Sequence, residues 1–391
     1  MNFRQFFLKR HIAAVVVTAL FAAAIVSGCC GLFFVKAEAS LYSTADGSGD
    51  FARSQLSEEV QNIYDQLYEG IAAGKQEFEL TASDSELIKP AIRAILADHP
   101  EFFWIDGNAS ITGYQFLKSW TIDLNFTIPE EEIGELSLEI ENCVAEYLES
   151  LPEDAGDYTK ARTAYEYIIR NTDYDLNSAQ NQSIVSVFLN HSSVCAGYAR
   201  AFQYLMHRAG VWCAYIEGTV NKNGSEEGHA WNLVCLNGVY TFVDPSWGDP
   251  TYAEDSSDAS RLDIIYDYLS LTSEEMNREG HIASEEYALP LCTDTTYDYY
   301  RLNDMFYDTC DADRISSAIW HAVDEAETSV YFKFADEESY DEARQMIFSG
   351  DDSREALINA PIQQRMQWDE LESMRYFYNC SDALYIIKLY W

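Results

Sequence analysis

The sequence predicts an α+β fold: a helix opening on a cysteine packs against an antiparallel sheet, between a helical N-terminal region and a small α+β C-terminal region. Three observations carry this. After Cys195, the apolar residues Tyr198, Phe202, Leu205, Met206 and Ala209 recur at helical spacing, and Gly210 is a natural stop. The segments Trp212 to Val220, His229 to Leu236 and Val239 to Asp244 are rich in β-branched and aromatic residues and read as strands. Asn237-Gly238 between the last two is a strong two-residue hairpin signal.

The hairpin sets a register. With Asn237 and Gly238 as the loop, Leu236 pairs with Val239 and Trp231 pairs with Asp244. His229 shares a face with Trp231 and Asp244, so it is the diagonal neighbour of Asp244 at roughly 7–8 Å between backbones, within reach of an imidazole–carboxylate hydrogen bond. A slip of one residue would separate them to opposite faces. Leu233, Tyr240 and Phe242 are expected to supply the apolar surface that packs this face towards the start of the Cys195 helix. A cysteine in the first turn of a helix feels the positive end of the dipole, which favours thiolate over thiol. Gly197 leaves room for another backbone or a substrate to approach.

A thiol, an imidazole and a carboxylate are the groups that thiolate acyl-transfer chemistry needs, so Cys195, His229 and Asp244 are the candidate catalytic residues. Each has a plainer reading. A buried cysteine is commonly an inert small hydrophobe, a histidine at a strand start is commonly just hydrogen-bonded, and Asp244-Pro245 could merely start a turn. The ordered set favours catalysis. Cys213 and Cys235 lie inside predicted strands with no base assigned to them. His207 lies about 18 Å along the helix from Cys195 and cannot serve as the base. His191, four residues before Cys195, is the alternative base.

Three motifs then carry a resemblance: Cys195-Ala196-Gly197-Tyr198-Ala199, His229-Ala230-Trp231-Asn232, and Asp244-Pro245-Ser246-Trp247-Gly248-Asp249. In order and spacing they resemble those of the bacterial transglutaminase-like superfamily, relatives of papain-type cysteine proteases. The resemblance covers roughly residues 155 to 250, and the run Thr163 to Asp175 resembles the helix that precedes the nucleophile. Ser192-Ser193 stand where a glycine is common. The resemblance implies a mechanism in which the Cys195 thiolate attacks an amide carbonyl, His229 oriented by Asp244 protonates the leaving amine, and water or an amine resolves the thioester. Hydrolysis is preferred, since no feature marks an amine-binding site. The Cys195 backbone N–H is a natural oxyanion donor; a second is unassigned. The rival class is a non-catalytic module that keeps the fold to hold peptides or cell-wall material, and an intact triad argues against it.

Arg4, Lys9 and Arg10 precede Ile12 to Val35, twenty-four residues without a charge, and Lys36 follows. The run is long enough to span a bilayer, with the positive charges on the side that stays inside. Val26-Ser27-Gly28-Cys29 resembles a lipobox, which would make Cys29 a lipidated N-terminus. Ala37-Glu38-Ala39 has the small–x–small form of a signal peptidase site, which would release a soluble product. An uncleaved anchor is preferred, because the apolar run continues past Cys29. All three place the catalytic part outside the cytoplasm.

The chain has 65 acidic and 25 basic residues and a formal charge of −40. Arg4, Lys9, Arg10 and Lys36 against Glu38 give the first 39 residues +3, leaving −43 for the remainder. Such a field repels phosphate backbones and excludes nucleic acid as a partner. The expected partner is a peptide or protein substrate, with cell-wall material as a further candidate. Nine cysteines are present; export permits disulfides, and Cys292 with Cys310 is a candidate pair. No CxxC, HExxH or EF-hand pattern occurs, so neither metal nor cofactor is expected.

The organisation expected is a leader or anchor over 1–39, a flexible linker over 40–53, a helical and α+β region over 54–151, the catalytic domain over 155–289 and a small α+β module over 290–391. In the first region Leu56, Val60, Ile63, Leu67 and Ile71 form one helical stripe, and Leu87, Ile88, Ile92, Ile95 and Leu96 another, with a strand pair near Ile111 to Ile128. Residues 252–260 are polar and read as a loop, and 261–289 as partly helical. In the last region, helices are expected around Ala318 and Ala343 and strands at Val330 to Phe334 and Ala383 to Tyr390. Its tyrosines fit either packed core or a surface that binds wall polymer or protein.

Overall fold

A computed structural model describes residues 50–222, 224–250, 264–348 and 377–391. The apolar run Ile12 to Val35, Cys29, the Ala37-Glu38-Ala39 site and the loop expected over 252–260 lie outside the described residues. Among the described residues, no helix is long and apolar enough to cross a membrane.

The N-terminal region is built on the two stripes. Helix α1 (Phe51–Ser54) is followed by α2 (Glu58–Ala72), which buries Val60, Ile63, Leu67 and Ile71, and by α3 (Ile88–Asp98), which buries Ile88, Ile92 and Ile95. Strands β1 (Glu77–Thr81), β2 (Ile105–Tyr114) and β3 (Ser119–Phe126) form an antiparallel sheet in the order β1-β3-β2. The expected strand pair is thus three-stranded. The linker expectation fails at residues 50–53. The backbone N–H groups of Ala52 and Arg53 donate to the buried Asp98 carboxylate at 2.8 and 2.9 Å, and the Phe51 ring contacts Trp212 and Tyr287. A carboxylate at the C-terminal end of α3 gains little from the helix dipole, so these donors stabilise it instead.

Next come α4 (Glu130–Ser150), α5 (Asp157–Asn171), the short strand β4 (Asp173–Tyr174), α6 (Ile184–Phe188), β5 (Ser192–Ser193) and α7 (Cys195–Arg208). Gly210, with φ +75°, closes the last helix as expected. The main sheet contains β6 (Cys213–Lys222), β7 (Ser225–Leu236), β8 (Val239–Val243), β9 (Leu269–Leu271) and β10 (His281–Ala283) in the order β10-β6-β7-β8-β9. Leu236 pairs with Val239 and Asn232 with Val243, the register the hairpin predicts. Between β9 and β10 lies α8 (Ser273–Arg278), opened by a capping box between Thr272 and Glu275. The partly helical reading of 261–289 therefore missed both edge strands.

Both faces of this sheet are covered. Helix α7 lies on the face of Ala230, Val234, Cys213 and Tyr215, where Tyr198, Phe202, Leu205 and Met206 share their core. Asn232 Nδ2 donates to the Ala199 carbonyl of α7 at 2.9 Å. The opposite face, with Trp231, Leu233, Phe242 and Ile216, packs against Tyr300, Leu384 and Ile386 from the C-terminal region. The expectation that Leu233 and Phe242 face the Cys195 helix is overturned: by strand alternation they point the other way.

The C-terminal region holds α9 (Tyr299–Leu302), β11 (Phe306–Tyr307), α10 (Ala312–Asp324), β12 (Ser329–Phe334), α11 (Glu337–Phe348), β13 (Phe377–Ser381) and β14 (Ile386–Tyr390), with a sheet in the order β11-β12-β14-β13. Its tyrosines Tyr300, Tyr307 and Tyr340 are buried in cores. The boundaries expected at 151–155 and 289–290 do not divide the cores. One apolar cluster runs from Ala52 to Leu269, and the cluster behind the main sheet joins Ala214 to Ile386. Cys292 and Cys310 are free thiols attached to different clusters, so the suggested disulfide is absent.

Candidate active site

Cys195 is the first residue of α7 and is half-buried. Ser192 and Ser193 are extended and pair in parallel with Asp173 and Tyr174. The Ser193 hydroxyl bonds the Asn181 carbonyl and the Ser186 hydroxyl. These groups explain Gly197: a Cβ there would lie 2.0 Å from Ser193 Oγ and 2.8 Å from the Asn181 carbonyl oxygen. The close approach expected at Gly197 is made by the chain's own loop. Tyr198 in the same motif shares its one hydroxyl hydrogen between Asp249 Oδ2 and the Thr172 carbonyl, which ties the cysteine motif to the end of the Asp244 motif.

His229 and Asp244 meet as the hairpin register requires, with Nε2 to Oδ2 at 2.6 Å and both side chains buried. With Nε2 engaged, Nδ1 is the nitrogen left for the Cys195 thiol, which hydrogen-bonds the ring. Burial alone would lower the pKa of His229. The Asp244 charge and hydrogen bond outweigh that and, with Cys195 adding to them, raise it to about 10. Asp244 is desolvated as well, yet its attraction to His229 holds it well below the usual carboxylate range. The contact with Cys195 is made at the first residue of α7, not across the helix's packed face.

Asp244 divides its work between two oxygens. Oδ1 accepts from the Ser246 N–H at 3.1 Å, the Ser246 hydroxyl at 2.8 Å and the Trp247 N–H at 3.1 Å, a side-chain-capped turn. Oδ2 faces the histidines. The turn reading and the histidine-binding reading of this residue therefore both hold.

The second histidine on Oδ2 is His281, at 3.2 Å through Nε2, and sequence reasoning missed it. It opens β10, which pairs with β6 through His281 and Val220. A signal existed: the Thr272–Glu275 capping box and Gly280 (φ +83°) bracket a short helix before His281. A three-residue strand carries no periodicity, however. The rings of His229 and His281 lie 5.3 Å apart, with Trp247 5.4 Å from the first and 4.4 Å from the second.

The other candidates lie elsewhere. His191 is exposed with φ +54°, and its Nδ1 bonds the Asn171 carbonyl at 2.9 Å. His207 Nε2 bonds the Cys213 carbonyl at 2.8 Å. Burial pushes the thiols of Cys213 and Cys235 up.

His229, Asp244 and His281 offer three ligand atoms within 4.8 Å of one another and could hold a metal ion. The set is better suited to direct hydrogen bonding. Metal-bound histidines normally pass their second ring nitrogen to an outer acceptor, and His281 Nδ1 is buried without a hydrogen-bond partner among the described residues.

A half-buried cysteine at a helix start, an imidazole against it and a carboxylate behind the imidazole form a papain-like arrangement on an α+β core. Residues 145–245 match the transglutaminase-like superfamily, and this part of the chain is a transglutaminase-like domain. The chain is similar to kyphoscoliosis peptidase of Mus musculus, 26% identical in an alignment 146 residues long that covers 34% of this chain and 22% of that protein. It is similar to the Homo sapiens kyphoscoliosis peptidase at 27% identity over the same lengths. The match thus spans 22% of either relative. A solved structure described as a TGase aligns with a TM-score of 0.27 and 12% identity, covering 36% of this chain and 44% of that one.

Proposed function

We propose that the chain is a cysteine-dependent acyl-transfer enzyme that hydrolyses amide bonds of peptides or proteins, with Cys195 as nucleophile, His229 as general acid and base, and Asp244 as its orienter. The observation that carries this reading is the buried His229, bonded to Asp244 on one nitrogen and adjoining the Cys195 thiol with the other.

The Cys195 thiol passes its proton to His229, its sulfur attacks the amide carbonyl carbon, and the carbonyl oxygen takes the negative charge. The Cys195 backbone N–H, in the first turn of α7, is available to that oxygen because first-turn amides have no partner within their helix. As the intermediate collapses, the C–N bond breaks and the His229 proton passes to the leaving amine. A thioester on Cys195 remains. Water then attacks it, His229 takes the water's proton, and the C–S bond breaks to release a carboxylic acid. Retention of the proton on His229 up to about pH 10 suits the first step, which needs a proton ready for the amine.

The N-terminal charge pattern supports placing the catalytic part outside the cytoplasm on a membrane anchor or, through Cys29, a lipid. Cleavage of the catalytic region by protease added to intact cells is expected; full protection would overturn the placement.

Iodoacetamide labelling across pH, read by peptide mass spectrometry, tests the catalytic pair. Cys195 is expected to react faster than the other thiols at about pH 6, and to lose that advantage in His229→Ala. Reaction no faster than at Cys235, with no effect of His229→Ala, would sink the reading.

A further inference from the structure

We propose that His281 is a positioning residue for the reaction: its Nε2–H donates to Asp244 Oδ2, so that two histidines hold one carboxylate and aim it at His229. This rests on the catalytic reading above.

Three observations support it. Asp244 is fully buried, and its acceptor positions are met from both sides, by Ser246 and Trp247 on Oδ1 and by His229 and His281 on Oδ2. Without His281, Oδ1 would stay anchored but Oδ2 would have His229 as its one remaining bonded side chain. Rotation about the carboxylate axis would then be opposed by one bond instead of two. Second, the tautomer of His281 follows from its surroundings. Nδ1 has no partner among the described residues, so the form that satisfies the site carries its hydrogen on Nε2, facing Asp244. Third, the backbone is shaped to bring β10 this close. A Cβ at Gly218 would lie 2.1 Å from the Ile282 carbonyl oxygen and 2.7 Å from the Trp231 ring, so only glycine lets β10 and Trp231 meet over β6. Trp231 and Trp247 then fix the imidazole in edge contacts at 5.1 and 4.4 Å.

His281 acts through Asp244, so substituting it is expected to weaken activation of the thiol without removing the nucleophile. A cavity of about 250 Å³ beside His281, lined also by Phe242, Met276 and Leu289, leaves room for replacements of similar size.

The test compares His281→Leu, which removes the donor, with His281→Gln, whose amide can present an N–H at similar reach. The readout is the rate of Cys195 alkylation by iodoacetamide against pH in the full chain, with thermal unfolding followed in parallel. We expect His281→Leu to slow alkylation at about pH 6 by about ten-fold or more, the effect of one hydrogen bond to a charged group. His281→Gln should restore it to within about three-fold. A purely structural role would shift the melting temperature of the two variants without separating their pH profiles. Wild-type rates in both variants would overturn the proposal, as would equal losses in both, because the donated N–H would then not be what matters. If wild-type Cys195 itself reacts no faster than Cys235, the catalytic reading has failed and the positioning role falls with it. A fast wild type with indistinguishable variants removes only His281.

Discussion

Two buried clusters of charge lie against the same sheet and serve different ends. In one, Asp244 gathers His229 and His281 within 3.2 Å, and His229 adjoins a half-buried thiol. In the other, Lys333 of β12 pairs with Glu275 and Asp298 at 2.5 Å each, and Lys388 of β14 pairs with Asp267 at 2.7 Å. These lysines pin the C-terminal region to α8 and to the turn before β9. Burial and pairing are common to both, so neither marks a reactive site. What separates them is a titratable ring adjoining a thiol at a helix start; the lysines adjoin only counter-charges among the ion pairs of the described residues.

Substitutions should therefore act on reactivity in the first cluster and on stability in the second. Cys195→Ala should produce the largest change, a loss of turnover on the order of 10⁴-fold or more on any peptide substrate, with unfolding unaltered. Lys333→Met should cost about 3–5 kcal/mol in urea unfolding, since it strands two buried carboxylates. The folded fraction should still show selective Cys195 alkylation. If that selectivity disappears, the two clusters are coupled and the contrast between them breaks.

Asp244→Asn sharpens the same contrast through pH. His229 is raised in the fold, so its contribution to stability is complete below about pH 6.5 and is lost as pH rises through about 10. Unfolding free energies at about pH 7 and pH 10 should differ less in Asp244→Asn than in wild type. Gly218→Ala should cost about 1–3 kcal/mol by overpacking and should slow alkylation as well, because β10 must move. The smallest effect is expected at Glu279, which burial and the nearby Asp267 push up to about 7. A raised carboxyl favours the fold below about pH 4.5 and loses that advantage as pH rises through about 7. Glu279→Gln should flatten stability over that window and leave alkylation unchanged.

Much of this arrangement is legible in the sequence. Asn237-Gly238 specifies a turn whose register brings His229 to Asp244, and the stripe after Cys195 specifies the helix. The face of the sheet that meets the helix could not be read. Ala230 through Val234 are all buried, so the polar/apolar alternation that distinguishes an inner from an outer face is missing. His281 escaped for a related reason: β9 and β10 are three residues each, too short for any period, and their place is set by tertiary pairing. Residues 50–53 read as spacer because their anchor, Asp98, lies far along the chain.

The matched segment stops at residue 245, whereas β9 and β10 lie beyond it. Those strands cover the outer ladders of β8 and β6. A fragment cut at the last motif residue would retain Cys195, His229 and Asp244 yet expose two sets of unpaired amides and carbonyls, inviting edge-to-edge aggregation. The unit that recombination could transplant intact is therefore longer than its signature, extending at least through Ala283.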